Sequence, residues 1–282
     1  MYDVAIIGGG LAGSSLAIQL AEQGLNVVLL EKDEFPRDKL CGEFLSYECQ
    51  HFLKRLGLYN QITKENIATI DHARFTHPNG KEFSFSLDDR GFSVKRYVLD
   101  ALLFKHASKV GATSLSRFYA KSIQTNASCS EIIGLYQGNA MKIQSKLIIG
   151  CYGRNAFFNQ SKQIMKSKYV GVKKYYQSER FNDELFNTVE VHSFNQGYCG
   201  CSYVNDKEVN VCALLETDAI KSIKPFNEKT VEAYLRNQNL SLNQRFDGLK
   251  PTSLPMLCVG NVPFNRFQTK SNDILLCGDS TG

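Results

Sequence analysis

The sequence predicts a mixed α/β fold, α+β over the whole chain: a Rossmann-like βαβ unit at the N-terminus with an antiparallel sheet inserted behind it. Three observations predict this. Residues 2–30 read as strand, helix, strand; the turn Gly8-Gly9-Gly10-Leu11-Ala12-Gly13 joins the first two; and beyond about residue 165 short strands follow one another without intervening helices.

Residues 2–7 form a short apolar run, the expected first strand. Leu11, Leu16, Ile18 and Leu20 then recur at helical spacing, and Leu25–Leu30 is a second apolar, β-branched run. Two parallel strands need a crossover between them, and this one closes in about 30 residues, the size of a βαβ unit. A helical pattern runs from Glu48 to Leu58. The alternation from Thr69 to Leu87 around His77-Pro78-Asn79-Gly80 predicts a β-hairpin, and residues 96–109 return to helix. Leu147–Gly150 reads as a buried strand. Strands are expected at 169–176, 188–194, 198–204 and 209–215, a helix at 227–238 and a last apolar strand at 273–277.

The 282 residues are 43% hydrophobic with a net charge of +5, an ordinary globular composition with scattered basic residues. No nucleic-acid footprint is visible. The start MYDVAIIGGG lacks a basic n-region and cleavage site, and no apolar run reaches the roughly 20 residues of a membrane span, so no transmembrane segment is expected. A cytoplasmic protein is expected, with peripheral membrane contact left open. Nine cysteines, an odd number, argue for reduced thiols. No metal spacing is present, and the C-x-C of Cys199 and Cys201 reads as buried thiols. The five histidines show no partner pattern, and no G-x-S-x-G elbow points to a hydrolase.

The glycine turn carries the chemistry. It is G-x-G-x-x-G after a strand and opening a helix: Gly8 for the tight turn, Gly10 for approach of the backbone to a pyrophosphate, Gly13 for close packing of helix on strand. The helix N-terminus offers unpaired N–H groups to phosphate. Glu31 ends the second strand about 20 residues later, placed to accept ribose hydroxyls and favouring an adenosine without a 2′-phosphate. Spacing alone does not separate NAD from FAD.

Taken in order, the glycine turn, Phe35-Pro36-Arg37-Asp38-Lys39-Leu40-Cys41-Gly42, Arg96-Tyr97-Val98-Leu99-Asp100-Ala101-Leu102-Leu103, Gly150-Cys151-Tyr152-Gly153-Arg154 and Gly278-Asp279 resemble the geranylgeranyl reductase-like branch of the FAD-dependent aromatic-ring hydroxylase superfamily, p-hydroxybenzoate hydroxylase-type. The resemblance implies FAD. It places Arg96 beside the flavin, Asp279 on the ribityl chain, and Cys41 and Gly42 near the ring; Arg37 and Lys39 meet phosphates or a substrate anion, or stand as solvated loop cations. The cofactor-binding candidates are Gly8, Gly10, Leu11, Ala12, Gly13, Glu31, Lys32, Arg37, Cys41, Gly42, Arg96, Gly278 and Asp279. No catalytic residue and no metal ligand is assigned.

The resemblance implies three parts: residues 1–165 as the N-terminal part of an FAD-binding domain, 166–260 as an antiparallel substrate domain, and 261–282 as an incomplete return. Family members continue past Gly-Asp, so a C-terminally truncated chain that holds FAD weakly on its own is expected. The usual Asp-Gly turn is Tyr152-Gly153 here, which argues against a standard NAD(P)H-driven hydroxylase cycle. The leading expectation is an FAD-dependent oxidoreductase acting on a small hydrophobic substrate, isoprenoid or polyketide-like. The alternatives are an FAD monooxygenase acting on an aromatic or lipid substrate and a non-catalytic FAD-fold protein. A flavin halogenase ranks lower, because that group carries a tryptophan-rich motif and this chain has no Trp. With no second G-x-G-x-x-G, electrons come from transiently bound NAD(P)H or from an electron-donor protein. Tyr169, Tyr175, Tyr176, Phe194, Tyr198 and Tyr203 line an apolar pocket or, equally in keeping with alternation on strands, fill the sheet core.

Overall fold

The computed structural model describes residues 1–281 except 66, 127–128, 155–167, 179–184, 261, 263–268 and 272–273. The boundary expected at residue 165 and residue 273 of the last strand therefore lie outside the described residues.

Two sheets share the chain. In the first, β1 (Tyr2–Ile7) is central and pairs in parallel with β2 (Val27–Leu30) on one side and with the second half of β9 (Asn139–Gly150) on the other. The parallel run extends outward through β6 (Thr113–Leu115) beyond β2 and β17 (Ile274–Leu276) beyond β9, and β17 turns back on β16 (Lys270–Ser271). One face is covered by α1 (Leu11–Glu22) and α4 (Arg96–Lys109), which bury Ala17, Ile18, Leu99, Leu103 and Ala107 against Val4, Ile6, Val27 and Leu29. The helix α1 stops where Gly24 takes φ 81°, a left-handed end that suits glycine.

The other face is covered by a meander that the sequence reading did not place. Strands β7 (Phe118–Thr125) and β8 (Ser130–Tyr136) pair antiparallel with each other and then with the first half of β9. Phe118, Ala120, Ile132 and Ile143 pack there on Ala5, Ile7, Val28 and Leu30. Because strands buried on both faces are apolar at every position, Val27–Leu30 shows no alternation.

The second sheet runs β14 (Leu249–Pro251), β10 (Tyr169–Ser178), β13 (Glu208–Glu216), β12 (Gly197–Tyr203), β11 (Thr188–Phe194), β4 (Ala68–Thr76), β5 (Glu82–Ser93), β3 (Phe44–Leu45), with β15 (Leu257–Val259) also on β10. All pairs are antiparallel except β4 with β11. The expected hairpin is thus β4–β5, turned at His77–Gly80, and it joins the sheet of residues 169–259 rather than the βαβ unit. The helices α6 (Glu228–Gln238) and α7 (Leu240–Phe246) bury Val231, Leu235, Leu242 and Phe246 on one face. Short helices α2 (Tyr47–Arg55), α3 (Tyr59–Ile62) and α5 (Thr217–Ser222) complete the connections.

Candidate functional site: a cleft at the carboxyl edge of the parallel sheet

A cleft of about 580 Å³ opens where β1, β2 and β9 end, bounded by the start of α1, the start of α4, the 37–40 segment and the meander. Open α/β sheets bind ligands at this edge. The three motif glycines are there for different reasons. A Cβ on Gly8, whose φ is 109°, would meet the Cys151 carbonyl oxygen at 2.2 Å, and one on Gly13 would meet the Gly8 carbonyl oxygen at 1.8 Å. Both are required by packing. A Cβ on Gly10 would meet nothing within 4 Å, yet Gly10 faces the cleft and caps α1 without a side-chain hydrogen bond. The cradle therefore has room and N–H donors for a diphosphate.

Behind the cleft runs a chain of charges. The carboxylate of Glu31, 4% exposed, accepts from the Gly9 N–H at 2.8 Å through Oε2 and from the Asp33 N–H at 2.9 Å through Oε1. Arg37 donates to Glu31 Oε2 and to Asp100 Oδ2, both at 3.3 Å, with its guanidinium 4.8 Å from the Phe35 ring centroid. Arg96 binds Asp100 with both prongs, at 2.6 and 2.9 Å. Burial works against the Arg96 charge, but Asp100 more than offsets it and raises its pKa. Burial and the neighbouring Arg37 lower the pKa of Lys39. At the far end Gly278 has φ 65°, a Cβ there would meet Ala12 at 2.7 Å, and Asp279 lies 3.6 Å from Arg154.

Of the thirteen candidates, Gly8, Gly10, Leu11, Ala12, Glu31, Lys32, Arg37, Arg96, Gly278 and Asp279 line this one cleft. Gly13 is buried beneath it. Cys41 and Gly42 do not line it: the Cys41 carbonyl accepts from Asn210 Nδ2 at 2.8 Å, tying that loop to β13. Glu31 reaches the cleft with its carboxylate already engaged by two backbone N–H groups and Arg37, so its first role here is to hold the glycine turn.

The sequence reading passed over Asp100, Glu43 and Lys173. Glu43, at φ 62°, is buried and accepts from Lys173 Nζ at 2.6 Å, from the Tyr175 hydroxyl at 2.7 Å and from the Arg96 N–H at 2.7 Å. Burial raises its carboxyl pKa although these partners oppose the shift. The network fastens β10 to the first turn of α4. Of the six aromatic residues considered for a pocket, Tyr175, Tyr176, Phe194 and Tyr203 are buried, as sheet core, while Tyr198 is half exposed. Among the exposed aromatics, Phe75, Phe83 and Phe85 lie in ring contact on the β4–β5 hairpin. Among the described residues no cluster suits a metal ion, and no helix is long and apolar enough to cross a membrane.

Fold and cleft together define a dinucleotide-binding protein of the α/β class. The chain belongs to the FAD binding domain family, whose model matches residues 1–245, which points to FAD as the dinucleotide. It is 38% identical over 124 residues to conditioned medium factor receptor 1 of Dictyostelium discoideum, covering 40% of this chain and 24% of that protein. It is 27% identical over 218 residues to the pyrrole-2-carbonyl-(peptidyl-carrier protein) chlorinase of Pseudomonas fluorescens, covering 68% of this chain and 45% of that one. The chain thus spans less than half the length of these relatives. The myxobacterial chondrochloren halogenase CndH shares its fold, with a TM-score of 0.84 at 18% identity over 99% of this chain and 68% of that chain. A flavoprotein/dehydrogenase from Cytophaga hutchinsonii does so with a TM-score of 0.86 at 18% identity, over 99% and 71%.

Proposed function

We propose that this chain holds FAD in the cleft and is the flavin-binding part of an oxidoreductase acting on a small hydrophobic substrate. The observation that carries this reading is the convergence of ten residues, from four stretches of sequence, on one cleft whose glycine cradle leaves room at Gly10. The α1 N–H groups would meet the diphosphate, Glu31 and Lys32 the adenosine side, Arg96 the flavin, and Asp279 the ribityl chain. FAD supplies the redox chemistry; the protein binds, orients and excludes water. Titrating the purified chain with FAD and following flavin fluorescence tests the reading: saturable quenching is expected, and none at tens of micromolar FAD overturns it.

Within that class the names of the relatives favour a halogenase over a geranylgeranyl reductase-like enzyme, the branch suggested by the Pro36–Gly42 segment. The complete lack of tryptophan weighs the other way. Electrons would come from NAD(P)H or from a donor protein. Supplying reduced FAD, oxygen and bromide with a phenol or a pyrrole, and reading the product mass, separates the readings: bromination marks a halogenase, oxygen insertion a monooxygenase, and anaerobic saturation of an isoprenoid double bond a reductase.

A further inference from the structure

We infer that Asp100 is a positioning residue that makes the adenosine-side and flavin-side contacts of the cleft form as one unit. The inference rests on the reading of the cleft as an FAD site. Asp100 is on α4, is fully buried, and does not itself line the cleft. Its carboxylate binds two arginines that do: Arg96 through both prongs and Arg37 through Nη1. Arg37 continues to Glu31, and Glu31 to the Gly9 N–H in the phosphate turn. A single buried carboxylate thus stands between two neighbouring cations separated by 59 positions in sequence.

The physical argument is about order and charge. Two guanidinium groups brought together behind a cleft repel, and a long arginine side chain loses rotamer freedom when a ligand fixes it. Asp100 is shared by both cations, and Glu31 and Asp33 also neutralise Arg37, so both forks are set before a ligand arrives. Because Arg37 and Arg96 share the carboxylate, a shift of one is felt by the other, and energetic coupling is expected of groups in one ion-pair network. An ordinary helical i,i+4 pair on a surface would contribute little; here the acceptor is out of water, where charge-assisted bonds are stronger.

The test is FAD affinity, by fluorescence quenching well below the melting temperature, in Asp100→Asn, Arg37→Gln, Arg96→Gln and the double arginine variant. Asp100→Asn is expected to weaken FAD by about tenfold or more, the scale of one lost charge-assisted contact, and to alter the visible circular dichroism of bound flavin. Together the arginine variants are expected to lose about tenfold less than the product of their separate losses. If Asp100→Asn lowers the melting temperature while FAD affinity and dichroism stay as in the wild type, Asp100 is only structural and the inference fails. Should Asp100→Asn not fold, the arginine cycle decides: a combined loss within about twofold of the product overturns the inference, and a larger departure supports it. A wild-type chain that binds no FAD overturns the reading of the cleft itself.

Discussion

At the scale of single residues, the three motif glycines separate stability from binding. Gly13→Ala places a methyl group against the Gly8 carbonyl and is expected to cost about 3 kcal/mol or more in denaturant unfolding. Gly10→Ala meets no protein atom, so it should cost about 1 kcal/mol or less through the weaker cap, while loosening FAD clearly. Equal losses of stability in the two variants would contradict this assignment. These glycines were legible because their roles are local: a turn, a close approach and a helix start within six residues. Asp100 stood inside a quoted motif, yet its role depends on Arg37, which only the folded chain brings near. Glu43 and Lys173 lie 130 residues apart, and nothing in either neighbourhood announces the other.

At the scale of elements, buried charges decide how helices sit on the second sheet. Glu190 on β11 binds Arg245 of α7 through both oxygens, at 2.7 and 2.9 Å, and His192 at 3.1 Å. Burial raises its pKa, but His192 and Arg245 outweigh that and hold it down at about 2. Its folded value is below the ordinary 4.5, so its contribution is present above pH 4.5 and lost as pH falls toward 2. Melting curves should show a drop across that window, and Glu190→Gln should flatten it while lowering stability at pH 6. Lys173→Met, which leaves Glu43 buried without its cation, is expected to cost about 3–5 kcal/mol in urea unfolding. Element identity was largely legible: the expected strands of the second sheet and the helix at 96–109 lie where alternation and helical spacing put them. The meander was missed although Gln137 and Gly138, both at positive φ, form the kind of two-residue turn that marks a hairpin. The alternation beside it ends in the continuous apolar run of β9, where one strand serves two different environments.

At the scale of the molecule, ligand and fold are linked. A chain that binds FAD only when folded gains about 2.7 kcal/mol at a hundred times the dissociation constant, so the melting temperature should climb steadily with added FAD; a melt insensitive to FAD would contradict the proposed site. The α/β class was legible from the first thirty residues. The assembly of the sheets was not, because the partner of β4 is β11, more than a hundred residues later, and a parallel pairing at that separation leaves no local trace. The pairing also bears on inheritance. The parallel sheet draws on residues 2–30, 113–150 and 270–276, and the other sheet on 44–93 and 169–259, so the two alternate along the chain. No contiguous stretch of gene encodes either one. Recombination could therefore not exchange one lobe for another in a single crossover, and change in what the protein acts upon would have to come by substitution within loops and strand faces.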